Sequence, residues 1–231
     1  KPVLYYDDRS PPVRSCLMLI KYLGIDVDLQ FVDLFKQEHL APEFVKLNPL
    51  HTVPTLKHEN LVLTDSHAIL VYLAEKYGAG MDLYPRNETI RAQIINKLFF
   101  EACVLFRRTS DMMREIFHNK TGDKIDEHKE SIHEAYSFIE TFLSADHDHH
   151  IAAPNMTIAD IAAVTTISSA DLLFPITSEW PLLKKWFERT KLLPSYIHAN
   201  EPGLAKIKEA IKSCANIDPK FERKFVIFAL N

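Results

Sequence analysis

The sequence predicts an α/β domain followed by an all-helical domain, and three observations support this architecture. Strand and helix patterns alternate over residues 1–78. Glycine and proline then interrupt the periodicity over residues 79–87, which we interpret as a linker between the domains. Over residues 88–231 the apolar positions recur at helical spacing, with little strand character. With 231 residues, 47% of them hydrophobic, the chain is long enough to bury a core in each domain.

The first domain is predicted to open with a strand and a helix. Residues 3–6 form an apolar run that suits a buried strand. The apolar residues that follow recur at helical spacing until Gly24 ends the pattern; they are Val13, Leu17, Ile20 and Leu23. Residues 27–31 alternate in polarity and indicate a second strand, while residues 42–47 indicate a short helix.

A hairpin and a third helix complete the first domain. Residues 55–58 and 61–64 are predicted to pair around Glu59 and Asn60, and a helix is predicted from Ser66 to about Tyr77. The order of elements is therefore βαβαββα. With helices on both faces of a small mixed sheet, this is a thioredoxin-like arrangement.

The second domain is predicted to contain five long helices. Their patterns cover residues 88–119, 126–144, 157–172, 181–191 and 203–215. The third of these opens with Thr157 and Asp160 at the spacing of a capping box. We interpret this pair as structural, so Asp160 is expected to be buried and needed for folding rather than for turnover.

Composition excludes several classes of function. The formal net charge of −4 does not favour binding to a phosphate backbone. No apolar run is long enough for a membrane span and the N-terminus lacks a signal-peptide core, so we predict a cytoplasmic protein. Three distant cysteines argue against disulfides and zinc, and the five glycines form no phosphate-binding loop. Residues 146–150 are rich in histidine and aspartate, but we interpret them as a solvated loop and predict no metal.

Three segments predict a binding site for a small thiol peptide. Ser10 precedes a helix that begins with Pro11, so its hydroxyl would stand at the positive helix end, where a sulfur anion is stabilised. From spacing alone, a plain cap is the favoured role of Ser10. Residues 48–55 could present main-chain groups to a peptide. Asp65 and Ser66 open the third helix, where capping is compatible with binding a zwitterionic head group.

An apolar stripe follows on the first helix of the second domain. Four residues at spacings of three to four form it, with one hydroxyl among them: Phe106, Ser110, Met113 and Phe117. The stripe could be interdomain core or one wall of a cleft, and the sequence leaves both open. Leu34 and Phe35, after the second strand, could supply an opposing wall. A flat apolar ligand would fit such a slot.

Three motifs together resemble the cytosolic glutathione transferases of the insect delta/epsilon group, and a fourth resembles the capping motif in the second domain of that superfamily. They are Ser-Pro-Pro-x-Arg at 10–14, Asn-Pro-x-His-Thr-Val-Pro at 48–54, Asp-Ser-His-Ala-Ile at 65–69 and Met-Thr-Ile-Ala-Asp at 156–160. The resemblance covers nearly the whole chain. It implies an enzyme that activates the thiol of glutathione, its co-substrate, without a metal. It also implies a homodimer, with a thioredoxin-like domain and a helical bundle.

The resemblance assigns roles to individual residues. Ser10 is implied to donate a hydrogen bond to the thiolate rather than to act as a nucleophile. Asp65 would pair with the γ-glutamyl ammonium group and Ser66 with its carboxylate. Pro54 is implied to follow a cis peptide bond that turns Val53 toward the cysteinyl part of glutathione. The full set of implied glutathione contacts is His39, His51, Thr52, Val53, Pro54, Asp65, Ser66 and His67, with the two histidines His39 and His51 at the glycyl carboxylate.

The implied hydrophobic site lies over Ser10, between the domains. Its expected residues are Pro12, Leu34, Phe35, Phe106, Thr109, Ser110, Met113 and Phe117. Residues 5–16 and 105–108 are similar to the Noppera-bo branch, which implies a steroid-like substrate and a role in ecdysteroid biosynthesis. Thr109 stands where an acidic residue is expected in that branch, and Asp111 follows two residues later.

Three other functions compete with this interpretation. One is a transferase that detoxifies many unrelated electrophiles, and another is a non-catalytic carrier of steroids with the same fold. A thioredoxin-like reductase is disfavoured, because its chemistry needs a thiolate at the helix start. Here Ser10 holds that place, and Cys16 lies about a turn and a half further along the helix.

Overall fold

The computed structural model describes residues 1–119, 122–145 and 150–215. Residues 146–149 of the loop predicted at 146–150, and the tail from 217 onward, lie outside these residues. The strands are β1 (Val3–Tyr6), β2 (Asp28–Phe31), β3 (Thr55–His58) and β4 (Leu61–Leu63). The helices of the first part are α1 (Pro11–Leu23), a 3-10 turn (Glu38–Leu40), α2 (Pro42–Leu47) and α3 (Ser66–Tyr77). The predicted thioredoxin-like order is confirmed.

The four strands form one mixed sheet in the order β2-β1-β3-β4. β1 is parallel to β2 and antiparallel to β3, and β3 is antiparallel to β4. Leu4 at the centre of the sheet pairs with Leu29 on one side and Leu56 on the other. Leu4 and Leu56 are fully buried, as are Leu19 of α1 and Leu70 of α3. The core of the first part therefore lies between the sheet and these two helices.

Among its described residues, the second part contains helices and connecting loops but no strand. Its elements are α4 (Glu88–Phe100), a π-helical turn (Glu101–Leu105), α5 (Phe106–Arg114), a second π-helical turn (Glu115–Asn119), a 3-10 helix (Gly122–His128), α6 (Lys129–Ala145), α7 (Ile158–Asp171), α8 (Pro181–Lys191), α9 (Pro194–Ala199) and α10 (Glu201–Ala215). The sequence did not predict α9 or the 3-10 turn at Glu38–Leu40, because one or two turns are too short to show a period. The predicted helix 88–119 exists, but two π-helical turns interrupt it.

Helix α7 is the centre of the second part, since every residue from Ile158 to Ala170 is buried. Its start carries the predicted capping box: the hydroxyl of Thr157 accepts from the N–H of Ala159, and Asp160 accepts from the N–H of Thr157. Asp160 also accepts from the indole N–H of Trp186 at 2.9 Å. The expectation that Asp160 is buried is confirmed, because none of it is exposed.

Helix α1 joins the two parts, because it packs against α3 on one side and against α7 and α9 on the other. Residues 78–87, between α3 and α4, contain neither helix nor strand. The exact division at 1–78, 79–87 and 88–231 stays a prediction.

Candidate active site

The sheet brings the predicted ligand-binding segments to one edge. β1 and β2 are parallel, so their carboxyl ends, which lead to Ser10 and to Leu34, lie side by side. β3 starts at that same edge directly after Pro54, because it is antiparallel to β1. β4 runs back toward the edge and leads into Asp65. Four loops far apart in sequence therefore meet at one end of the first part.

Ser10 is at the N-cap position of α1, with extended backbone angles, but its side chain makes no capping hydrogen bond. The capping role that spacing alone favours for Ser10 is therefore not observed, whereas the bond to a thiolate that the resemblance implies stays a prediction. Pro11 and Pro12 occupy the first two helical positions and have no N–H to donate. The serine N–H donates instead to the carbonyl of Asp7, at 3.0 Å. The hydroxyl is thus not engaged by the helix that it precedes.

A buried ion pair fixes the loop before Ser10. Asp7 is fully buried and accepts from Arg9 Nε at 2.8 Å and from the N–H of Leu34 at 3.1 Å. Arg9 also pairs with Asp33 at 2.5 Å. The hydrogen bond with Asp7, followed by that with Asp33, outweighs burial and raises the pKa of Arg9. These bonds tie the loop after β1 to the loop after β2.

A second loop is organised by Asn48, which is fully buried. Its side-chain amide donates to the carbonyl of Thr52 at 3.0 Å and to the hydroxyl of Thr55 at 2.9 Å. The Val53–Pro54 peptide bond is cis. No hydrogen bond joins the main chain of Val53 to another described residue. Val53 can therefore offer its N–H and C=O groups to a ligand at the edge of the sheet.

Two histidines lie together beside this loop. The ring centroids of His39 and His51 are 6.2 Å apart. Burial, and then the neighbouring His51, lower the pKa of His39. The Nδ1 atom of His39 is buried and has no hydrogen-bond partner among the described residues. Because buried polar atoms are normally satisfied, this nitrogen marks a place for a polar ligand group.

The start of α3 carries the third segment. Asp65 caps the helix by accepting from the N–H groups of His67 and Ala68 at 2.9 and 3.1 Å. Ser66 is 7% exposed at the first helical position. The bond with His67 lowers the pKa of Asp65. A carboxylate and a helix N-terminus are thus side by side, which suits a ligand that carries both an ammonium and a carboxylate group.

The side chain of His67 points into the second part of the molecule. Its Nε2 lies 2.7 Å from the buried carboxylate of Glu101, which in turn accepts from the hydroxyl of Thr166 at 2.5 Å. Burial alone would lower the pKa of His67, but hydrogen bonds with Asp65 and Glu101 raise it to about 9. His67 is therefore protonated at neutral pH. It was predicted as a direct glutathione contact, whereas the structure gives its side chain two carboxylate partners.

A cleft with two lobes lies over Ser10. The inner lobe has a volume of about 210 Å³ and the outer lobe about 690 Å³. Seven of the eight residues predicted for the hydrophobic site line the inner lobe: Leu34, Phe35, Phe106, Thr109, Ser110, Met113 and Phe117. The eighth, Pro12, lines neither lobe, and its neighbour Pro11 does so instead. The apolar stripe therefore forms a cleft wall as well as interdomain packing.

Aromatic rings from both parts of the chain form the walls. The rings of Phe35 and Phe117 face each other with centroids 5.7 Å apart. The guanidinium of Arg9, which also lines the inner lobe, lies 4.0 Å from the centroid of Phe35 in a cation–π contact. Both rings line the two lobes, so together they form one apolar wall of the cleft that lies over Ser10.

Several lining residues were not predicted. The inner lobe also has Arg9, Ser169 and Ile207, and the outer lobe has Gln37, Arg114, Ala210, Ser213 and Cys214. Three of them, Ile207, Ala210 and Cys214, recur at helical spacing on α10, so the sequence signalled an apolar face. It did not signal which surface that face covers. Ser169 has no sequence signal, because a serine inside a buried helix resembles any other core position.

No carboxylate of the described residues lines either lobe. Thr109 is buried and donates its hydroxyl to the carbonyl of Leu105 at 2.9 Å. Asp111 forms an ion pair with Arg107 at 2.8 Å and faces away from the cleft. A hydroxyl group on a ligand could therefore meet Ser110 or the oxygen of Thr109, but not Asp111.

Two protein-family models match this chain. Residues 1–75 match the glutathione S-transferase N-terminal domain, and residues 101–194 match the glutathione S-transferase C-terminal domain. The chain belongs to the glutathione S-transferase family.

Similar proteins place this transferase in the insect delta/epsilon type. Glutathione S-transferase 1 of Manduca sexta is 38% identical over 91% of this chain and 97% of its own length. The structure of an epsilon-class enzyme from the housefly, Musca domestica, superposes with a TM-score of 0.88 at 38% identity, over 93% of this chain and 98% of that one. A glutathione transferase homologue from Drosophila mojavensis, solved with bound glutathione, has a TM-score of 0.88 at 34% identity, over 92% and 97% of the two chains. Glutathione is the co-substrate of this enzyme family.

Cys16, the cysteine of α1, does not provide a reactive thiolate at the start of that helix. Cys16 is fully buried, and burial raises its pKa.

Within the described residues, no three side chains of His, Cys, Asp or Glu come together as a metal site. None of the helices in the described ranges has the length and apolar character needed to cross a membrane.

Proposed function

We propose that Ser10 activates the thiol of glutathione for attack on an apolar electrophile held in the cleft. One observation carries the proposal: the hydroxyl of Ser10 makes no capping hydrogen bond although it stands at the positive end of α1. Ser10 also lines the inner lobe of the cleft. A free thiol has a pKa of about 8.5 and is mostly protonated at neutral pH. Lowering it by two units requires about 2.7 kcal/mol, a magnitude that a charge-assisted hydrogen bond and a helix dipole together supply.

Glutathione is proposed to lie along the edge of the sheet. Its γ-glutamyl ammonium would pair with Asp65, and its carboxylate would meet Ser66 at the start of α3. The cysteinyl part would bond to the main chain of Val53, beside Thr52 and Pro54. The glycyl carboxylate would meet His39 and His51, where the partnerless Nδ1 of His39 supports this assignment. His67 would act indirectly, by holding Asp65 in place.

Replacing Ser10 by Ala tests the proposal. We expect the ultraviolet thiolate signal of bound glutathione to titrate one to two pH units higher, because the hydrogen bond to the anion is lost. Turnover at neutral pH should fall at least tenfold, while affinity for apolar ligands should stay the same. Ser15→Ala is the matched control, since that hydroxyl lies on the same helix and bonds to the carbonyl of Pro12 at 2.8 Å. An unchanged thiol titration in the Ser10 variant would rule the mechanism out.

For the electrophile, we propose a steroid-like compound and a role in ecdysteroid biosynthesis. The resemblance to the Noppera-bo branch and the apolar lining of the cleft by Phe35, Phe106 and Phe117 support this finer proposal. A steroid hydroxyl would bond to Ser110 or Thr109, since no carboxylate of the described residues lines the cleft. A steroid is expected to displace a fluorescent ligand competitively. No displacement at the solubility limit would contradict a steroid substrate.

The alternative is a transferase that detoxifies unrelated apolar electrophiles. The outer lobe of about 690 Å³ favours it, because a wide entrance admits ligands of varied shape. Comparable turnover of several unrelated electrophiles, without tight binding of steroids, would decide for detoxification. A non-catalytic steroid carrier of this fold would keep its ligand affinity in the Ser10→Ala variant and would show no turnover to lose.

We also propose that the transferase is a cytoplasmic homodimer. Three exposed apolar residues follow one another at four-residue spacing along α4 and the turn after it: Ile95, Phe99 and Cys103. Phe99 is 66% exposed. A continuous exposed apolar stripe of this kind marks an interaction surface. A second copy of the chain is the partner that the symmetry of most oligomers favours.

A further inference from the structure

Arg14, one helical turn after Ser10, is a fully buried arginine. Its Nε donates to the side-chain carbonyl of Asn200 at 2.7 Å. One terminal nitrogen donates to the carbonyls of Asp8 and Arg9, at 3.2 and 2.8 Å. The other donates to the carbonyl of Thr165 at 3.1 Å and to the hydroxyl of Ser169. Every one of these acceptors is neutral.

Arg14 keeps its charge in this environment. Burial lowers its pKa to about 10, so the guanidinium is still protonated at neutral pH. Arginines buried in proteins are usually paired with a carboxylate. Here the hydrogen-bond partners from the β1–α1 loop, from α7 and from the start of α10 carry no charge.

Among the described residues, no carboxylate forms a hydrogen bond or an ion pair with Arg14. Asp8 on the same loop binds Lys206 of α10 at 2.6 Å through one carboxylate oxygen, and its other oxygen is buried without a hydrogen-bond partner among the described residues. Arg9 binds Asp7 and Asp33. Burial raises the pKa of Tyr196 on α9 to about 12, so this phenol is neutral.

Arg14 therefore decides the balance of charge around the loop. The loop and its ion pairs contain three carboxylates, those of Asp7, Asp8 and Asp33. Among the described residues Arg9 is their only largely buried cationic partner, because the side chains of Lys206 and Lys36 are 56% and 74% exposed and are screened by water. Without Arg14, the buried surroundings of Ser10 would hold an excess of negative charge.

The guanidinium lies close to the reacting centre. Its terminal nitrogen is 2.8 Å from the carbonyl oxygen of Arg9, and that carbonyl carbon is bonded to the nitrogen of Ser10. Ser169, which accepts from the other terminal nitrogen, lines the inner lobe together with Ser10. One hydroxyl group thus separates the charge from the wall of the cleft.

We propose that the buried positive charge of Arg14 acts with Ser10 to keep the thiol of bound glutathione ionised. Arg14 is a positioning residue in this proposal, because it acts through the electric field and through the loop without touching the sulfur. The inference rests on the proposed role of Ser10. A cation in direct contact lowers the pKa of an acid by about one to three units. Because Arg14 does not touch the sulfur, we expect it to lower the pKa of the thiol by about one unit, the low end of this range.

A merely structural role must be separated from an electrostatic one, because Arg14 also links the two parts of the chain. Arg14→Met keeps the volume and removes the charge, whereas Arg14→Lys keeps the charge and loses most of the hydrogen bonds. The thiol of bound glutathione is titrated by its ultraviolet thiolate absorbance in both variants and in the unaltered enzyme. We expect a rise of about one unit in the Met variant and a rise of at most a few tenths in the Lys variant. Equal shifts in the two variants would overturn the proposal.

A second pair of variants keeps the test decisive if Arg14→Met does not fold. Ser169→Asp places a carboxylate beside Arg14, and Ser169→Asn is its neutral isostere. We expect the Asp variant to raise the thiol pKa by about one unit relative to the Asn variant, since a like charge disfavours a second anion. Equal values would overturn the proposal.

The pH profile of kcat/KM supplies an independent readout. Loss of charge should move its apparent pKa upward and leave the plateau at high pH in place. A purely structural defect would lower the plateau without moving the apparent pKa. Ser10→Ala, measured in parallel, separates the two proposals: if it leaves the thiol pKa unchanged, the role of Ser10 fails. If it raises that pKa while the Arg14 and Ser169 pairs show no difference, only the role of Arg14 fails.

Discussion

Proline at the first two positions of α1 gives Ser10 its unusual freedom. A serine N-cap normally accepts from the second or third N–H of its helix, and here the second is missing. The helix dipole remains, because it arises from all the aligned peptide groups. Ser10 thus combines the positive end of a helix with a hydroxyl that the helix does not hold.

His67 makes the stability of the transferase depend on pH. Its pKa is raised from 6.5 to about 9, so the stabilisation is fully present below pH 6.5 and is lost as the pH rises through about 9. We expect the free energy of unfolding to fall by up to about 3 kcal/mol over this interval. His67→Gln should remove this contribution. Urea denaturation at several pH values in both proteins measures the difference.

The quantity to compare is the difference in the free energy of unfolding between the two proteins at each pH, because other groups titrate equally in both. Parallel curves for the unaltered enzyme and His67→Gln would show that the bonds with Asp65 and Glu101 do not hold a proton on the imidazole.

At the scale of elements, the π-helical turn at Glu101–Leu105 changes what the long helix can do. A π-helical turn inserts one residue and shifts the side chains that follow, and such turns often occur at functional sites. Glu101, at its start, is turned into the interior toward His67 and Thr166. The helix therefore reaches the start of α3 and couples the second part of the chain to the proposed glutathione site.

The start of α7 depends on Asp160. This buried carboxylate accepts from the N–H groups of Thr157 and Ile151 and from the indole of Trp186. We expect Asp160→Asn to lower the free energy of unfolding by about 2–4 kcal/mol, because an amide cannot accept all these bonds. Asp111→Asn, which breaks an exposed ion pair, should cost less than about 0.5 kcal/mol. Equal midpoints of urea denaturation for the two variants would contradict this prediction.

Helix α10 is held against the active-site loop by a glycine. A Cβ atom on Gly203 would lie 2.0 Å from the carbonyl oxygen of Asp8 and 2.9 Å from Cδ of Arg14. Gly203→Ala must therefore displace α10 or the loop, at a cost of about 1–3 kcal/mol. We expect both the thermal midpoint and kcat/KM to fall, because that loop leads directly to Ser10.

Ala205→Ser is the control for this change, since it also adds one heavy atom to α10 but at an exposed position. It should leave both quantities unchanged. Full activity and stability in Gly203→Ala would show that the close approach of α10 to the carbonyl of Asp8 is not needed for function.

At the scale of the whole molecule, exposed apolar surface predicts how copies associate. Phe99→Glu places a charge in the middle of the α4 stripe and should convert the proposed dimer to monomers, because an unpaired charge in an apolar interface is costly. Leu192→Glu is a matched control: Leu192 is 77% exposed at the end of α8, away from the stripe. Light scattering measures the mass of each. A dimer in the Phe99 variant would place the interface elsewhere.

The amino-acid sequence by itself determined the order of elements, because apolar periodicity, caps and turn residues are local signals. Helix starts at Ser10 and Asp65 and the stripe from Phe106 to Phe117 were visible for the same reason. The capping bond that spacing alone favours for Ser10 is absent, and Pro12 removes the second N–H of the helix, one of the two that a serine cap accepts. Only the tertiary structure decided that Arg14, Ser169 and Gly203 meet behind the active-site loop. Contacts between residues more than 150 positions apart depend on how helices pack, and packing leaves no periodic trace in the chain.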